Sequence, residues 1–184
     1  AQRTAGITED PRYAKLKRDW GSAAPQQLAR LLQMQALVSI PLGLGIVLAA
    51  HSPAPAPGWH DLAGVAVFVA GLAGGAIADG QLRAFARSGA GGICDSGLWS
   101  WSRHPNYFFE CLLWCSYALI APAASYPWGW FAVLAPACIT LLLTRISGIP
   151  PLEEHMLAKH GEAYRAYQNR TSALIPLPPK GATS

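Results

Sequence analysis

The chain has 184 residues, of which 52% are hydrophobic and only 13% are charged. A soluble domain carries about 25% charged residues, so this composition excludes an ordinary soluble enzyme and predicts a membrane protein. The net charge of +4 would indicate nucleic-acid binding only if the cations shared a soluble face. The four cysteines have no metal-ligand spacing, so we expect no metal site. Cys111 and Cys115 lie one helical turn apart in an apolar segment, so we expect them to be reduced packing residues.

Four apolar segments follow a polar arm of residues 1–26. In the arm, TEDP at 8–11 predicts a helix start and a surface helix from Pro11 to about Trp20; a solvated basic arm is the alternative. The predicted fold is all-α: a polytopic membrane protein with about four transmembrane helices in residues 27–146 and cytoplasmic amphipathic helices. The four segments cover residues 28–50, 62–78, 107–121 and 128–144.

Helix breakers and small residues mark two of these segments. Pro41 and the GLG motif at 43–45 predict a kink or a thin stretch in the first, which membrane helices tolerate. Small residues in the second segment predict close contact with another helix. They are Gly64, Gly71, Gly74 and Gly75.

The basic residues indicate the orientation. Residues 1–30 hold six of the 14 Lys and Arg, residues 80–105 hold three, and five lie from Arg145 onward. The connectors 51–61 and 122–127 hold none. By the positive-inside rule, both termini and the 80–105 loop face the cytoplasm. This placement explains the basic pI without nucleic acid.

The densest polar motif is GLWSWSRHPNYFFE at 97–110, where the third segment begins. Pro105 suits a first helical turn, and Ser102 is a candidate cap. A helix starting there carries a polar-to-aromatic stripe on one face, formed by Asn106, Glu110, Trp114 and Tyr117. An ionisable group inside a span usually has a partner or a function; the alternative for Glu110 is a helix-start carboxylate favoured by the macrodipole.

Two further basic groups could meet an anion. Asp79 ends the second segment and could orient toward a ribose or amide while Arg83 and Arg87 meet phosphates; an i,i+4 ion pair of Asp79 with Arg83 is the alternative. Arg103 and His104 precede a helix start, which suits an anion; a snorkelling arginine is the alternative.

The segment at 147–176 is predicted to be cytoplasmic, with a helix from Leu152 to about Gln168 and a tail at 177–184. Glu153 and Glu154 fall in its first turn, where carboxylates need no function. One face of this helix could close over a bound molecule, and it carries Met156, His160, Tyr164 and Tyr167.

Five motifs together carry a family resemblance: EDPRY (9–13), IADGQLRAF (77–85), GLWSWSRHPNYFFE (97–110), SGIPPLEEHM (147–156) and YRAYQNRTSALIP (164–176). With them the chain resembles the C-terminal domain of steroid 5-alpha reductases, and especially their bacterial relatives of unassigned substrate. The resemblance implies a helical fold in the bacterial inner membrane that holds NADPH in a cytoplasm-facing cavity. It implies reduction of an activated carbon–carbon double bond in a lipophilic substrate.

Site roles follow from the resemblance and the residues together. Glu110 and Tyr107 are the predicted catalytic residues, and Trp114 and Tyr117 are predicted to line the substrate pocket. The predicted cofactor-binding residues are Asp79, Arg83, Arg87, Arg103, His104, Asn106, Glu153, Tyr164 and Tyr167.

The sequence departs from the family pattern in three respects. Phe109 stands where the family has glycine beside Glu110, and the family's basic residue seven after the aspartate falls on Ala86, with Arg87 next. The relatives also have further N-terminal helices that polarise the substrate carbonyl, and we expect this chain to lack them.

A second family shares several motifs. RHPNY and EEHMLAKHGEAYRAY also resemble isoprenylcysteine and phospholipid methyltransferases, which bind S-adenosylmethionine. The NYFxE sequence and the ALIPLPP ending favour the reductase. A non-catalytic lipid-binding protein or inactive fragment is the third possibility. The expected partners are a lipophilic small molecule and membrane lipid, with no nucleic acid.

Overall fold

The computed structural model describes residues 18–53, 56–122 and 126–180. Within those ranges the chain is all-helical, as predicted, apart from isolated bridge residues such as the parallel pair Ser102 and Ser172. The predicted N-terminal helix lies outside the described residues except for its last three positions, 18–20, which are helical. The helices are α1 (Ala24–Ala50), α2 (Trp59–Ser88), α3 (Leu98–Trp101), α4 (Pro105–Ile120), α5 (Leu134–Leu141), α6 (Ile149–His160) and α7 (Glu162–Arg170).

The chain divides into two compact units, Ala1–Ile40 and Pro41–Ser184. The described part of the first unit is helical, with a 3₁₀ turn at Gly21–Ala23 before α1 begins. The second unit contains all the predicted site residues. Helix α1 continues past Pro41 to Ala50, so the proline does not end the helix.

Three helical stretches in the described residues are long and apolar enough to cross a membrane: Arg18–Ala50, Trp59–Ser88 and Pro127–His160. Large apolar side chains such as Val65, Val69 and Leu72 are exposed on them, which suits lipid. These stretches are consistent with an integral membrane protein. Helix α4 coincides with the predicted third span but has 16 residues. At about 1.5 Å per residue it is about 24 Å long, less than the roughly 30 Å hydrocarbon core.

Helices α2 and α4 pack closely, as the small residues of α2 predict. A Cβ atom on Gly71 would lie 2.8 Å from the Leu113 nitrogen, and one on Gly74 would lie 2.3 Å from the Phe109 ring. A Cβ on Gly64 would similarly meet Ile120 at 2.4 Å. The predicted close contact is therefore confirmed, because only glycine leaves room for α4 at these positions.

The sequence predicts a helix start at Leu152 with Glu153 and Glu154 in its first turn, but the helix starts at Ile149, so both carboxylates lie beyond the first turn. The predicted single helix as far as Gln168 is also wrong. It is two helices, α6 and α7, separated at Gly161, which has φ +53° and ψ −128°. Side chains rarely adopt that backbone conformation, and glycine does so without steric penalty. The break at Gly161 separates the predicted face into two helices, although Met156 of α6 and Tyr164 and Tyr167 of α7 line one cavity.

Candidate functional site

The site begins at the N-terminus of α4. His104 precedes the helix and Pro105 occupies its first turn, as predicted. The prediction that Ser102 caps this helix is wrong, because His104 is the N-cap residue and no side-chain hydrogen bond caps the helix. The Ser102 hydroxyl oxygen instead accepts the His104 backbone N–H at 3.1 Å. The same hydroxyl donates to the Leu174 carbonyl at 2.8 Å. Ser102 thus joins this helix start to the C-terminal segment.

Glu153, one turn inside α6, joins that helix to the RHP motif. Its Oε1 accepts Arg103 Nε at 2.7 Å and lies 3.0 Å from His104 Nε2. Its Oε2 accepts Gln168 Nε2 at 2.8 Å. The side chains of Arg103 and Glu153 are only 11% and 14% exposed, so each charge is compensated mainly by the other. Glu154, its neighbour, is exposed.

Arg103 is therefore heavily engaged. Besides Glu153, its Nη1 donates to the backbone carbonyls of Gln168 and Thr171. These bonds tie α4 to the end of α7. Binding of a cofactor by Arg103 or Glu153 stays a prediction, and any such contact must come from atoms outside this network.

A chain of hydrogen bonds connects α7 to α2. The buried Tyr167 hydroxyl donates to the Trp99 carbonyl, and Trp99 Nε1 donates to the Ala78 carbonyl at 3.0 Å. Burial raises the pKa of Tyr167, and burial with the nearby Glu153 charge raises the pKa of Tyr164 to about 12. Both phenols therefore remain protonated donors at neutral pH.

A small cavity of about 160 Å³ lies among these elements. We call it the tyrosine cavity because Tyr164 and Tyr167 form part of its wall. Five predicted cofactor residues line it: Arg103, His104, Asn106, Tyr164 and Tyr167. Met156, from the predicted closing face, also lines it, together with Leu82, Ile93, Cys94, Trp99 and Leu152.

A larger cavity of about 540 Å³ lies along α2 and α4. We call it the helix groove. Its polar lining consists of Asp79, Asn106, Tyr107 and Glu110, all predicted site residues. Its apolar lining includes Gly71 and Gly75 from α2 and Leu143 from the stretch after α5. Asn106 borders both cavities, so one amide side chain stands between them.

The two predicted catalytic residues have different surroundings. Tyr107 stacks on His104, with ring centroids 5.4 Å apart and planes 9° from parallel. Glu110 is exposed in the structure and its Oε1 accepts Trp114 Nε1 at 2.9 Å. The Trp114 ring in turn lies beside the Tyr117 ring, with the two ring centroids 5.5 Å apart. Neither aromatic residue is among the described lining of the groove, so their predicted substrate contact stays a prediction.

Asp79 lies at the groove, and the two arginines that follow it lie beyond. Within the described residues no ion pair joins Asp79 to Arg83, which disfavours that alternative. Arg83 and Arg87 follow Asp79 at i+4 and i+8, so all three share one side of α2. Both arginines are exposed. Among the described residues, no group of three or more His, Cys, Asp or Glu could hold a metal.

Sequence reasoning missed several residues that build the site. Gln168 supports Glu153, and Trp99 links α7 to α2, yet neither was predicted to have a role. Trp99 lies in the conspicuous WSW motif, which was a usable signal. Cys94 and Ile93 enter the tyrosine cavity from a glycine-rich turn, and no periodicity marks them.

Comparison with known proteins supplies the family. No solved structure matches the chain. A protein of Schizosaccharomyces pombe described as "Uncharacterized protein C594.04c" is 34% identical over 88 residues, which is 46% of this chain. The match spans 24% of the length of that protein. A family described as "Protein of unknown function (DUF1295)" matches residues 1–171. Because this match covers nearly the whole chain, the protein belongs to the DUF1295 family.

Proposed function

We propose that this protein is a membrane-embedded, NADPH-dependent reductase of an activated C=C bond in a lipophilic substrate. The family is related to steroid 5-alpha reductase-like proteins. The main supporting observation is the helix groove. Its polar lining combines Asp79 of α2 with three residues from the start of α4: Asn106, Tyr107 and Glu110. A mostly apolar cavity with a few converging polar groups is the usual form of a small-molecule site.

The two cavities and the nearby arginines could each hold a different part of a nicotinamide nucleotide. The groove, at about 540 Å³, is within the roughly 300–1,000 Å³ range of ligand sites, whereas the tyrosine cavity, at about 160 Å³, would hold one ring. Asn106 borders both and could hold a group that passes between them. Arg83 and Arg87 are exposed, so we assign the cofactor phosphates to them. Arg103 is a weaker candidate because its N–H groups already bond Glu153 and the Thr171 carbonyl.

NADPH supplies a hydride when bound. Reduction of an enone would place a hydride on the beta carbon, build negative charge on the carbonyl oxygen, and end with transfer of a proton from water to the alpha carbon. A hydrogen-bond donor at the oxygen stabilises this charge. The Tyr107 phenol is such a donor at neutral pH, and its stack on His104 holds the ring in place.

Glu110 has a second role in this proposal. Its Oε1 accepts the Trp114 N–H, which fixes the carboxyl group at the groove. The other oxygen can accept a bond from a substrate hydroxyl.

The test combines ligand binding with turnover in detergent. We expect NADPH, and not S-adenosylmethionine, to raise the melting temperature of the protein. With a steroid 4-en-3-one or a 2-alkenal as the probe, Tyr107→Phe should bind NADPH normally but oxidise it about 10²-fold more slowly. Tyr126→Phe is the matched control. Stabilisation by S-adenosylmethionine alone would contradict the proposal.

The second candidate is an S-adenosylmethionine-dependent methyltransferase of a lipid or prenylated substrate. It is favoured by the contacts of Arg103 and His104 with Glu153, which join the RHP and Glu-Glu motifs shared with that family. It predicts the reverse ligand preference. A lipid-binding protein without activity would respond to neither ligand and would co-purify with a sterol or fatty chain.

We also propose a four-span topology with both termini in the cytoplasm, in which α4 crosses the membrane beside α2. The distribution of basic residues supports it. Maleimide labelling from outside the cell should modify Ala56→Cys and leave Ser88→Cys unmodified, with the unmutated chain as the background control. Labelling of Ser88→Cys from outside would contradict this orientation.

A further inference from the structure

A third, polar cavity of about 310 Å³ lies between the end of α7 and the C-terminal segment. We call it the C-terminal cavity. Its charged lining residues are Arg103, Arg170 and Lys180, and no carboxylate lines it within the described residues. Neither the helix groove nor the tyrosine cavity shares Arg170 or Lys180. Three cationic side chains around a polar cavity indicate an anionic ligand.

A buried hydroxyl in this cavity lacks a partner. Thr171 is 3% exposed, and in the described part of the chain its Oγ1 is buried without a hydrogen bond. Its neighbours in the lining, Gln168 and Asn169, are also polar. Leaving a buried hydroxyl unpaired is unfavourable, so a group bound in this cavity would gain stability by pairing with it.

The cations are only partly neutralised. Arg170 pairs with Asp95 and lies over the Tyr167 ring, with its guanidinium carbon 5.7 Å from the ring centroid. Arg103 is paired with Glu153. Lys180 uses its backbone N–H to hold the Arg170 carbonyl at 2.9 Å, and its side chain forms no ion pair within the described residues. The backbone bond keeps Lys180 at the cavity while its ammonium group remains available.

We propose that the C-terminal cavity binds a phosphate group. A phosphate offers several acceptor oxygens, which suits the Arg170 guanidinium, the Lys180 ammonium group and the Thr171 hydroxyl along this cavity, while Arg103, whose donors are engaged, adds only its charge. The group could belong to a phosphate-bearing solute or to a phospholipid head group. Leu177 lines the cavity and is 53% exposed. Nearby in the chain, Ile175 is 58% exposed, so a lipid chain would have apolar surface to contact.

The first arm of the test uses inorganic phosphate and the full chain in detergent. Titration calorimetry against sodium chloride of equal ionic strength should show saturable phosphate binding. Lys180→Gln and Thr171→Val should each weaken it, Lys180→Gln by about three- to tenfold. Lys159→Gln removes the same charge from an exposed position on α6 and is the matched control, with expected wild-type affinity.

The second arm identifies the source of the phosphate. The same titration is done in nanodiscs of phosphatidylcholine alone and in nanodiscs that also contain phosphatidic acid. A head-group ligand would compete, so phosphatidic acid should weaken binding of free phosphate; a solute ligand would bind equally in both. Absence of saturable phosphate binding in detergent and in phosphatidylcholine discs would overturn the proposal. Equal affinities of Lys180→Gln and Lys159→Gln would do so as well.

Discussion

The contact of α2 with α4 and the polar network around Glu153 hold the same helix by different means. Along α2, Gly71 packs against Leu113 and Gly74 packs against the Phe109 ring, so close steric fit holds the two helices together. At the start of α4, Arg103 and His104 meet a carboxylate about 50 residues away in sequence. The first contact depends on shape, and the second on charge and hydrogen-bond geometry.

The difference teaches why the site lies where the two regions meet. The helix groove lies beside α4 and is lined by Gly71 and Gly75 of α2, while the network holds the residues at the start of α4. Changing residue size should therefore affect packing first. Changing charge should affect the position of His104 and Tyr107 first.

The largest effect is expected from breaking the network. Glu153→Ala leaves the Arg103 guanidinium without its carboxylate, and loss of one partner of a buried pair destabilises by about 3 kcal/mol. Glu154→Ala, at an exposed neighbouring position, should change stability by less than about 0.5 kcal/mol. Thermal unfolding in detergent measures both. Equal melting temperatures for the two variants would show that the network contributes little.

Packing should be the next most sensitive region. Gly71→Ala places a methyl group against the Leu113 backbone, which cannot rotate away, so we expect a loss of about 2 kcal/mol. Gly80→Ala, on the same helix with open space around it, should instead stabilise by up to about 1 kcal/mol. The sign of the two shifts in melting temperature is the measurement. A stabilising Gly71→Ala would contradict the close packing of α2 and α4.

A smaller effect is expected at the link between α7 and α2. Tyr167→Phe removes the hydroxyl that bonds the Trp99 carbonyl, and the loss should be about 1 kcal/mol. It should also loosen the tyrosine cavity, seen as faster amide exchange at residues 98–101. Tyr126→Phe is the control. Unchanged exchange would mean that Trp99 is held by its indole alone.

The smallest effect at neutral pH, and a growing one in alkali, belongs to Tyr164. Its pKa rises on folding from about 10 to about 12, so the folded chain keeps a proton that the unfolded chain releases. Its contribution is fully present below pH 10 and is lost as the pH rises toward 12. Tyr164→Phe should flatten the fall in melting temperature over that window. An unchanged slope would contradict the assignment.

Helix periodicity predicted a useful part of the site. The i, i+4 spacing of Glu110 and Trp114 appears as a direct hydrogen bond, and Asn106 lies on the same helix at the groove. The glycines of α2 predicted the close neighbour, although not which helix it was. Phe109, where the resembling family has glycine, is accommodated because its ring lies against Gly74.

Other features required the structure. The sequence predicts that Glu153 lies near a helix start, and the structure places it one turn inside α6; the sequence does not show that Arg103, His104 and Gln168 surround it. The sequence predicts one helix through Gly161, because Met156, His160, Tyr164 and Tyr167 share a helical spacing across it. In the structure Gly161 has a positive φ, and α6 ends there. Contacts between distant residues leave no local pattern, so periodicity cannot reveal them.

By itself the sequence determined that the protein is helical, that long apolar stretches dominate it, and which residues share a face of α4. These properties follow from the composition and from the 3.6-residue repeat, both of which are local. The tertiary structure alone decided that Asn106 borders two cavities, that Glu153 is paired, and that Thr171 is buried without a partner. Each of these depends on how separate segments approach in space, where packing and desolvation act between residues that are far apart in the chain.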